Sequence, residues 1–222
     1  MKAWLTARWP FSIESGATRA YTRGLARHGP TPQAVFWNSS KSQTTRFAAL
    51  LAAINRHRAE AGDAGVALPV IADIGCGYGA LLDYMSKHQA FAGWAYLGVD
   101  INPAMIRACH KRFPSSRSSF RVGALPPRPV DYALFSGTFN LCMIEDPERW
   151  RRHTLDQLAR CRPFCRSGMA VNLLCRRRMV ISNNIFYADR EDILVRLRDR
   201  FGNVTAFDTP GQRHDVTFLI AG

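Results

Sequence analysis

Lysine is nearly missing from this chain. Lys2, Lys41, Lys87 and Lys111 are the only ones, although Lys and Arg together number 30 against 17 acidic residues and give a formal net charge of +13. The positive charge is therefore arginine, and such one-sided usage reflects genome composition as readily as ligand choice. A basic balance favours anionic partners in general. The arginines do not alternate with aromatic residues in a stacking pattern, so nucleic acid is a weaker expectation than a small-molecule substrate. The densest cluster, Arg176, Arg177 and Arg178, reads as a solvated loop after a strand.

Other absences narrow the class. Cys76, Cys109, Cys142, Cys161, Cys165 and Cys175 form no CxxC pair and sit mostly in apolar runs, the pattern of buried free thiols in a reducing compartment. His153 with Cys161 and Cys165 lacks a zinc-ligand spacing, so no metal is expected. No stretch approaches the roughly 18 apolar residues that span a bilayer. After Lys2 only Ala3, Trp4 and Leu5 are apolar before Thr6 and Arg8, which makes no secretory segment. A soluble, cytoplasmic protein without a membrane partner is the expectation. There is no internal repeat and no low-complexity segment.

What is present suits one α/β core. The 222 residues are 47% hydrophobic and 21% charged, enough for one buried core and short for two independent domains. Residues 1–45 look like an extension, punctuated by Pro10, Gly16, Gly24, Gly29, Pro30 and Pro32 around a short helix at 17–27. The core domain is expected over 46–222. Phe47, Leu50, Leu51 and Ile54 recur at helical spacing, with Ser42 as the cap and an end near Gly62. Strands are then expected at 66–74, 95–99, 120–122, 132–136 and 169–175. Helices are expected at 80–88, 103–113 and 147–160, with Pro103 in a favourable first-turn position. A helix at 190–201 and two strands at 204–207 and 216–220, joined by a turn at Pro210 and Gly211, close the chain. Strands alternating with helices predict a mostly parallel sheet covered on both faces.

The chemistry concentrates in Asp73-Ile74-Gly75-Cys76-Gly77-Tyr78-Gly79, directly after Val70, Ile71 and Ala72. Glycines let the backbone turn sharply and approach a ligand where a Cβ would collide. Downstream, Leu97-Gly98-Val99-Asp100 is a second strand ending in a carboxylate, which can accept hydrogen bonds from both hydroxyls of a ribose. A dinucleotide-binding dehydrogenase is the competing interpretation, but its GxGxxG spacing differs and an acid so close before the first glycine is unusual there.

These residues resemble the class I S-adenosylmethionine-dependent methyltransferases. The resemblance implies a Rossmann-like fold, a seven-stranded sheet with a terminal hairpin, and S-adenosylmethionine as cofactor. It carries Asp73, Gly75, Gly77 and Asp100 over as cofactor contacts and Ile101 as the apolar residue beside the adenine. After the third strand the family's frequent acid is replaced by Arg121-Val122-Gly123-Ala124-Leu125, so adenine recognition is expected from backbone near Gly123 and Ala124. Ser136-Gly137-Thr138-Phe139-Asn140 resembles the substrate-facing segment, with Phe139 shielding the sulfonium and Asn140 orienting an acceptor; a simple strand-end turn is the bland alternative.

The stretch from Phe36 to Phe47, together with Asn172-Leu173-Leu174 and Phe186-Tyr187-Ala188-Asp189, is similar to a subgroup of small bacterial members. On that basis residues 1–45 form a helical lid. Gln43 and Arg46 are candidates for the methionine carboxylate, and Trp37 or Tyr21 for an aromatic wall facing the cationic sulfonium.

The function implied is methyl transfer to a small-molecule acceptor, in specialised metabolism, by direct in-line displacement. An RNA methyltransferase and a non-catalytic cofactor-binding protein are the alternatives. A general base is needed only for an acceptor that arrives protonated, and His28, Tyr187 and His214 are the candidates.

Overall fold

The structure is a computed structural model that describes residues 11–37, 39–62, 68–114 and 119–222. The first element, α1 (Phe11–His28), precedes a turn of 3-10 helix and α2 (Ser40–Glu60). Then follow β1 (Val70–Ile74), α3 (Ala80–Ser86), β2 (Ala95–Asp100), α4 (Pro103–Arg112), β3 (Ser119–Val122) and β4 (Val130–Phe135). The second half contains α5 (Pro147–Cys161), β5 (Cys165–Arg176), β6 (Val180–Ser182), β7 (Ile185–Asp189), α6 (Arg190–Phe201), β8 (Val204–Asp208) and β9 (Asp215–Ala221).

Seven of the nine strands make the main sheet in the order β3-β2-β1-β4-β5-β9-β8, parallel from β3 to β5 and antiparallel at β9 and β8. The remaining two form a hairpin, with β7 pairing parallel to β5 only at Cys175 and Arg176. Alternate residues along each strand face opposite layers. Ala72, Ile74, Ala133, Phe135, Met169 and Val171 pack with Trp150, Leu158, Ile193 and Leu197 of α5 and α6. Ile71, Tyr132, Leu134 and Ala170 pack with Leu50, Ile54, Leu81 and Ile106 of α2, α3 and α4.

Three expectations need correction. Ser39, not Ser42, caps α2: its backbone is extended and its Oγ accepts from Ser42 N at 3.1 Å, so the helix starts at Ser40 and runs through the expected domain edge at residue 45. Strand β1 begins at Val70, because Pro69 has no N–H to donate to the ladder; the expected residues 66 and 67 lie outside the described residues. The β6–β7 hairpin was not anticipated as strand. Its turn rests on Asn183 and Asn184, both at positive φ (51° and 60°), which asparagine tolerates in a two-residue hairpin turn. No helix among the described residues is long and apolar enough to cross a membrane.

Candidate active site

At the carboxyl edge of the sheet the glycine turn is locked to the end of β2. Gly75 N and Cys76 N donate to the Val99 carbonyl at 2.7 and 3.1 Å, and Gly77 N donates to Asp100 Oδ2 at 2.9 Å. Gly75 holds φ +77°, and a Cβ there would stand 2.8 Å from Thr138 Cγ2. Thr138 is fixed in turn, donating to the Ile74 carbonyl at 2.7 Å. Glycine at position 75 thus answers both to backbone sign and to a side chain arriving from the end of β4.

Two carboxyls lie buried beneath this turn. Asp100 accepts from Asn102 N through Oδ1 at 2.8 Å and from Gly77 N through Oδ2, which leaves lone pairs on both oxygens. Burial pushes its pKa up to about 6 against the two backbone bonds, with a further push from the charge of Glu14. Burial pushes Asp73 up to about 7, opposed by the Tyr96 hydroxyl, which donates to it at 2.6 Å.

The turn opens into a cavity of about 420 Å³. Its wall includes Asp73, Gly75, Gly77, Asp100, Ile101 and Ala124, and also Gln43, Arg46 and Trp37. From the acceptor candidates it includes Phe139, Asn140, Tyr21, Tyr187 and His214. His28 is not brought there: it is exposed at the last residue of α1, outside the cavity wall.

Several of these residues are more engaged within the protein than a free ligand contact would be. Gln43 is buried and accepts from the Tyr78 hydroxyl at 3.0 Å. Arg46 is buried in an ion pair with Asp215, its guanidinium 4.2 Å from the Trp37 ring centre. Asp215 also accepts from Asn172 and, at 2.6 Å, from Thr209. A ligand carboxylate at Arg46 would therefore share a cation already paired. Phe139 stacks on Phe135 with centroids 5.5 Å apart, and its carbonyl accepts from Trp150 Nε1 at 2.8 Å. Asn140 Oδ1 accepts from Leu174 N at 3.3 Å, and its carbonyl accepts from Phe186 N at 2.8 Å, which fastens the β6–β7 hairpin over the end of β4.

The edge of the cavity formed by α1 is latched to the end of β2. Asn102 caps α4 through Ala104 N and donates from Nδ2 to Thr22 Oγ1 at 2.9 Å and to the Thr18 carbonyl at 3.3 Å. Burial pushes the Tyr21 hydroxyl well above its ordinary pKa, followed by the effect of the Asp100 charge, so it remains a donor at neutral pH.

A family profile described as a methyltransferase domain matches residues 72–161. The Mycobacterium tuberculosis protein Rv1506c, itself a proposed methyltransferase, is 33% identical over 122 residues, 54% of this chain and 72% of that one. The chain belongs to the class I S-adenosylmethionine-dependent methyltransferases. Among solved structures, a SAM-dependent methyltransferase from Leishmania major superposes with TM-score 0.60 at 10% identity, covering 92% of this chain and 82% of that chain. The Burkholderia thailandensis 1,6-didemethyltoxoflavin-N1-methyltransferase does so with TM-score 0.56 at 16% identity, covering 94% and 88%.

This methyltransferase uses S-adenosylmethionine, which supplies an electrophilic methyl group on a sulfonium leaving group. The site fits such a cofactor: a cradle at Gly75 that a Cβ would fill, spare lone pairs on buried Asp100, and a buried Ser136 Oγ in the cavity wall with no hydrogen-bond partner. Sequence reasoning missed Glu14, Asn102, His153 and Gln157, which also line the cavity. Only the helical phase of α5, which puts Trp150, His153 and Gln157 on one face, offered a signal. Among the described residues no group of His, Cys, Asp or Glu suits a metal ion, and Cys161 and Cys165 are buried free thiols.

Proposed function

We propose that this methyltransferase moves the methyl group of S-adenosylmethionine to a small-molecule acceptor by direct in-line displacement, in specialised metabolism and in the cytoplasm. One observation carries the reading: the glycine turn, both buried acids and the end of β4 line a single cavity that α1 and the β6–β7 hairpin also wall. Its volume of about 420 Å³ falls in the range of small-ligand pockets. A cavity walled from so many sides suits a compact acceptor better than a polynucleotide strand.

In this reading Asp100 accepts the ribose hydroxyls, the backbone at Gly75 and Gly77 lies along the cofactor, and Ile101 and Ala124 flank the adenine. Asp73 supports the turn from beneath. Trp37, Gln43 and Arg46 bound the methionine end. Phe139, Asn140 and Tyr21 face the acceptor, and of the N-terminal extension the described stretch from α1 to Trp37 acts as the lid, its boundary with the domain falling before α2 and not inside it. Holding two reactants aligned in a dry pocket supplies much of the rate, since well-oriented pairs reach effective molarities of about 10⁵ M or more.

The net charge of +13, which already counts every carboxylate, favours RNA as a second reading, although part of the arginine complement is engaged in ion pairs within the protein. Arg112, Arg151, Arg166, Arg190, Arg196 and Arg200 each stand within ion-pair distance of a carboxylate.

Calorimetric titration with S-adenosylhomocysteine tests the cofactor assignment, and transfer of labelled methyl from S-adenosylmethionine to a panel of phenols, amines and thiols tests the acceptor class. Retention of configuration at a chirally labelled methyl would exclude a single displacement. RNA binding that weakens steeply with salt, together with methylation of the RNA, would replace the small-molecule reading. Removal of residues 1–33 with cofactor affinity and turnover intact would end the lid assignment.

A further inference from the structure

The cavity holds a histidine–carboxylate pair that the cofactor site does not use. His153 on α5 is 7% exposed, and its Nε2 stands 2.8 Å from Oε1 of Glu14 on α1. Two segments distant in sequence meet at this contact. The imidazole packs on Trp150 one turn earlier, with centroids 5.2 Å apart, and Trp150 in turn donates to the Phe139 carbonyl. The pair is thereby tied to the end of β4, and Glu14, Phe139, Asn140 and His153 line the same cavity. Glu14 also lies close enough to Asp100 for its charge to raise that carboxyl, so the pair is within electrostatic reach of the proposed ribose acid.

The other ring nitrogen, Nδ1, has no hydrogen-bond partner among the described residues. A carboxylate on Nε2 holds the proton on that nitrogen and leaves the lone pair on Nδ1. A histidine so paired, at the wall of a cavity that takes an electrophile, has one nitrogen engaged and one unengaged, the form of a general base.

We propose that His153 Nδ1 takes the proton of the methyl acceptor, and that Glu14, brought in on α1, is the positioning residue that fixes the tautomer. This rests on the methyl-transfer reading and deepens it: the acceptor class is a hydroxyl or amine that arrives carrying its proton. The acceptor's O–H or N–H bond breaks and its proton goes to Nδ1. A lone pair on that oxygen or nitrogen forms the bond to the methyl carbon, while the carbon–sulfur bond breaks with its electron pair left on sulfur. One positive charge enters on the sulfonium and one leaves on the imidazolium, where Glu14 balances it. Because Glu14 belongs to α1, the base is assembled only when that helix is docked.

The test uses a panel of phenols and amines as methyl acceptors. With a panel member that turns over, His153→Ala is expected to lower kcat by about a hundredfold, the size of a positioned general base, while S-adenosylhomocysteine affinity changes by less than about twofold. An unchanged kcat, or a loss of cofactor affinity as large as the loss of kcat, overturns the proposal. Failure of the unaltered protein to bind S-adenosylhomocysteine sinks the methyltransferase reading instead. Long-range ¹⁵N–¹H spectra of the unaltered protein supply a readout free of any folding defect. Protonation of His153 at Nε2 is expected, with a shift toward mixed tautomers in Glu14→Ala. A proton on Nδ1, or tautomers indifferent to Glu14, overturns the positioning role.

Discussion

Backbone dominates one end of the cavity and side chains dominate the other. In the proposed reading the centre of the cofactor end is made of glycines at positive φ, main-chain donors to Val99 and Asp100, and two buried carboxyls, all from residues 73–102, with Trp37, Gln43, Arg46 and Ala124 at its margins. The proposed acceptor end gathers Glu14 from α1, His153 from α5, Asn140 from beyond β4, Tyr187 from the hairpin and His214 from the loop before β9, all in the wall of the same cavity. A backbone-built site is largely independent of which side chains surround it, so it serves one invariant cofactor. A site built from side chains on separate segments can change its ligand by single substitutions, as acceptor choice in the proposed reading requires. Between the two ends stands the buried Arg46–Asp215 pair, joining α2 to β9.

That junction gives the largest expected effect. Arg46→Met leaves Asp215 buried without its cation, though still held by Asn172 and Thr209. Breaking a buried pair from one side costs about 3–5 kcal/mol. Urea denaturation should show that loss, and removing both charges with Arg46→Met and Asp215→Leu should recover part of it. Equal stability in the first single variant would mean that the two ends are not joined through this pair.

Asp100→Ala removes the only carboxylate at the cofactor end whose oxygens are both set by backbone donors. Hydrogen bonds to a charged acceptor suggest a loss of about 1.5–3 kcal/mol in S-adenosylhomocysteine binding. Calorimetry measures it directly, and unchanged affinity would remove Asp100 from the site. The contrast sharpens with His214→Ala at the acceptor end, where cofactor affinity should stay near that of the unaltered protein.

The same carboxyls give a pH dependence. Asp73 and Asp100 have pKa values raised to about 7 and about 6, above the ordinary aspartate value of 3.8, so the folded state holds their protons more tightly than the unfolded state does. Their contribution to stability is therefore fully present below pH 3.8 and is lost as pH rises through about 6 and 7. Cofactor binding runs the other way, because the ionised carboxylate is the better acceptor for ribose hydroxyls. Affinity for S-adenosylhomocysteine should rise roughly tenfold between pH 5 and pH 7.5, an effect of about 1.4 kcal/mol. A flat calorimetric profile would contradict the assignment of Asp100.

The cofactor end was legible in the sequence because its determinants are contiguous: apolar strand, glycine turn, second strand, carboxylate. The acceptor end was not, since Glu14 and His153 stand 139 positions apart and only the folded chain makes them neighbours. Elements with strong periodicity, such as α6 at Arg190–Phe201, follow the expected bounds. The β6–β7 hairpin escaped notice because its strands are short and Arg176, Arg177 and Arg178 before them suggested a solvated loop. In the structure Arg176 is the last residue of β5 and lies over the Tyr187 ring, 3.8 Å from its centre, so the first of the three arginines packs on a cavity residue. The overlooked signal was the asparagine pair between Ile181 and Ile185.

His28 supplies the smallest effect and the cleanest control. The sequence offered it as a base on residue type alone, but α1 ends there and the imidazole is exposed, outside the wall that holds His153 and His214. It lies in the last turn of α1, where a cationic side chain complements the helix dipole by about 0.3–1 kcal/mol when charged and less in salt. His28→Ala should therefore leave cofactor affinity and turnover unchanged and shift stability by no more than about 0.5 kcal/mol at neutral pH, where surface substitutions ordinarily fall. Glu14 and His28 ride on the same helix, one facing the cavity and the other facing water. If His28→Ala reduced turnover while stability and S-adenosylhomocysteine affinity held, α1 would have to present its carboxyl end to the reacting groups, and the division between a backbone-built cofactor end and a side-chain-built acceptor end would have to be redrawn around that helix.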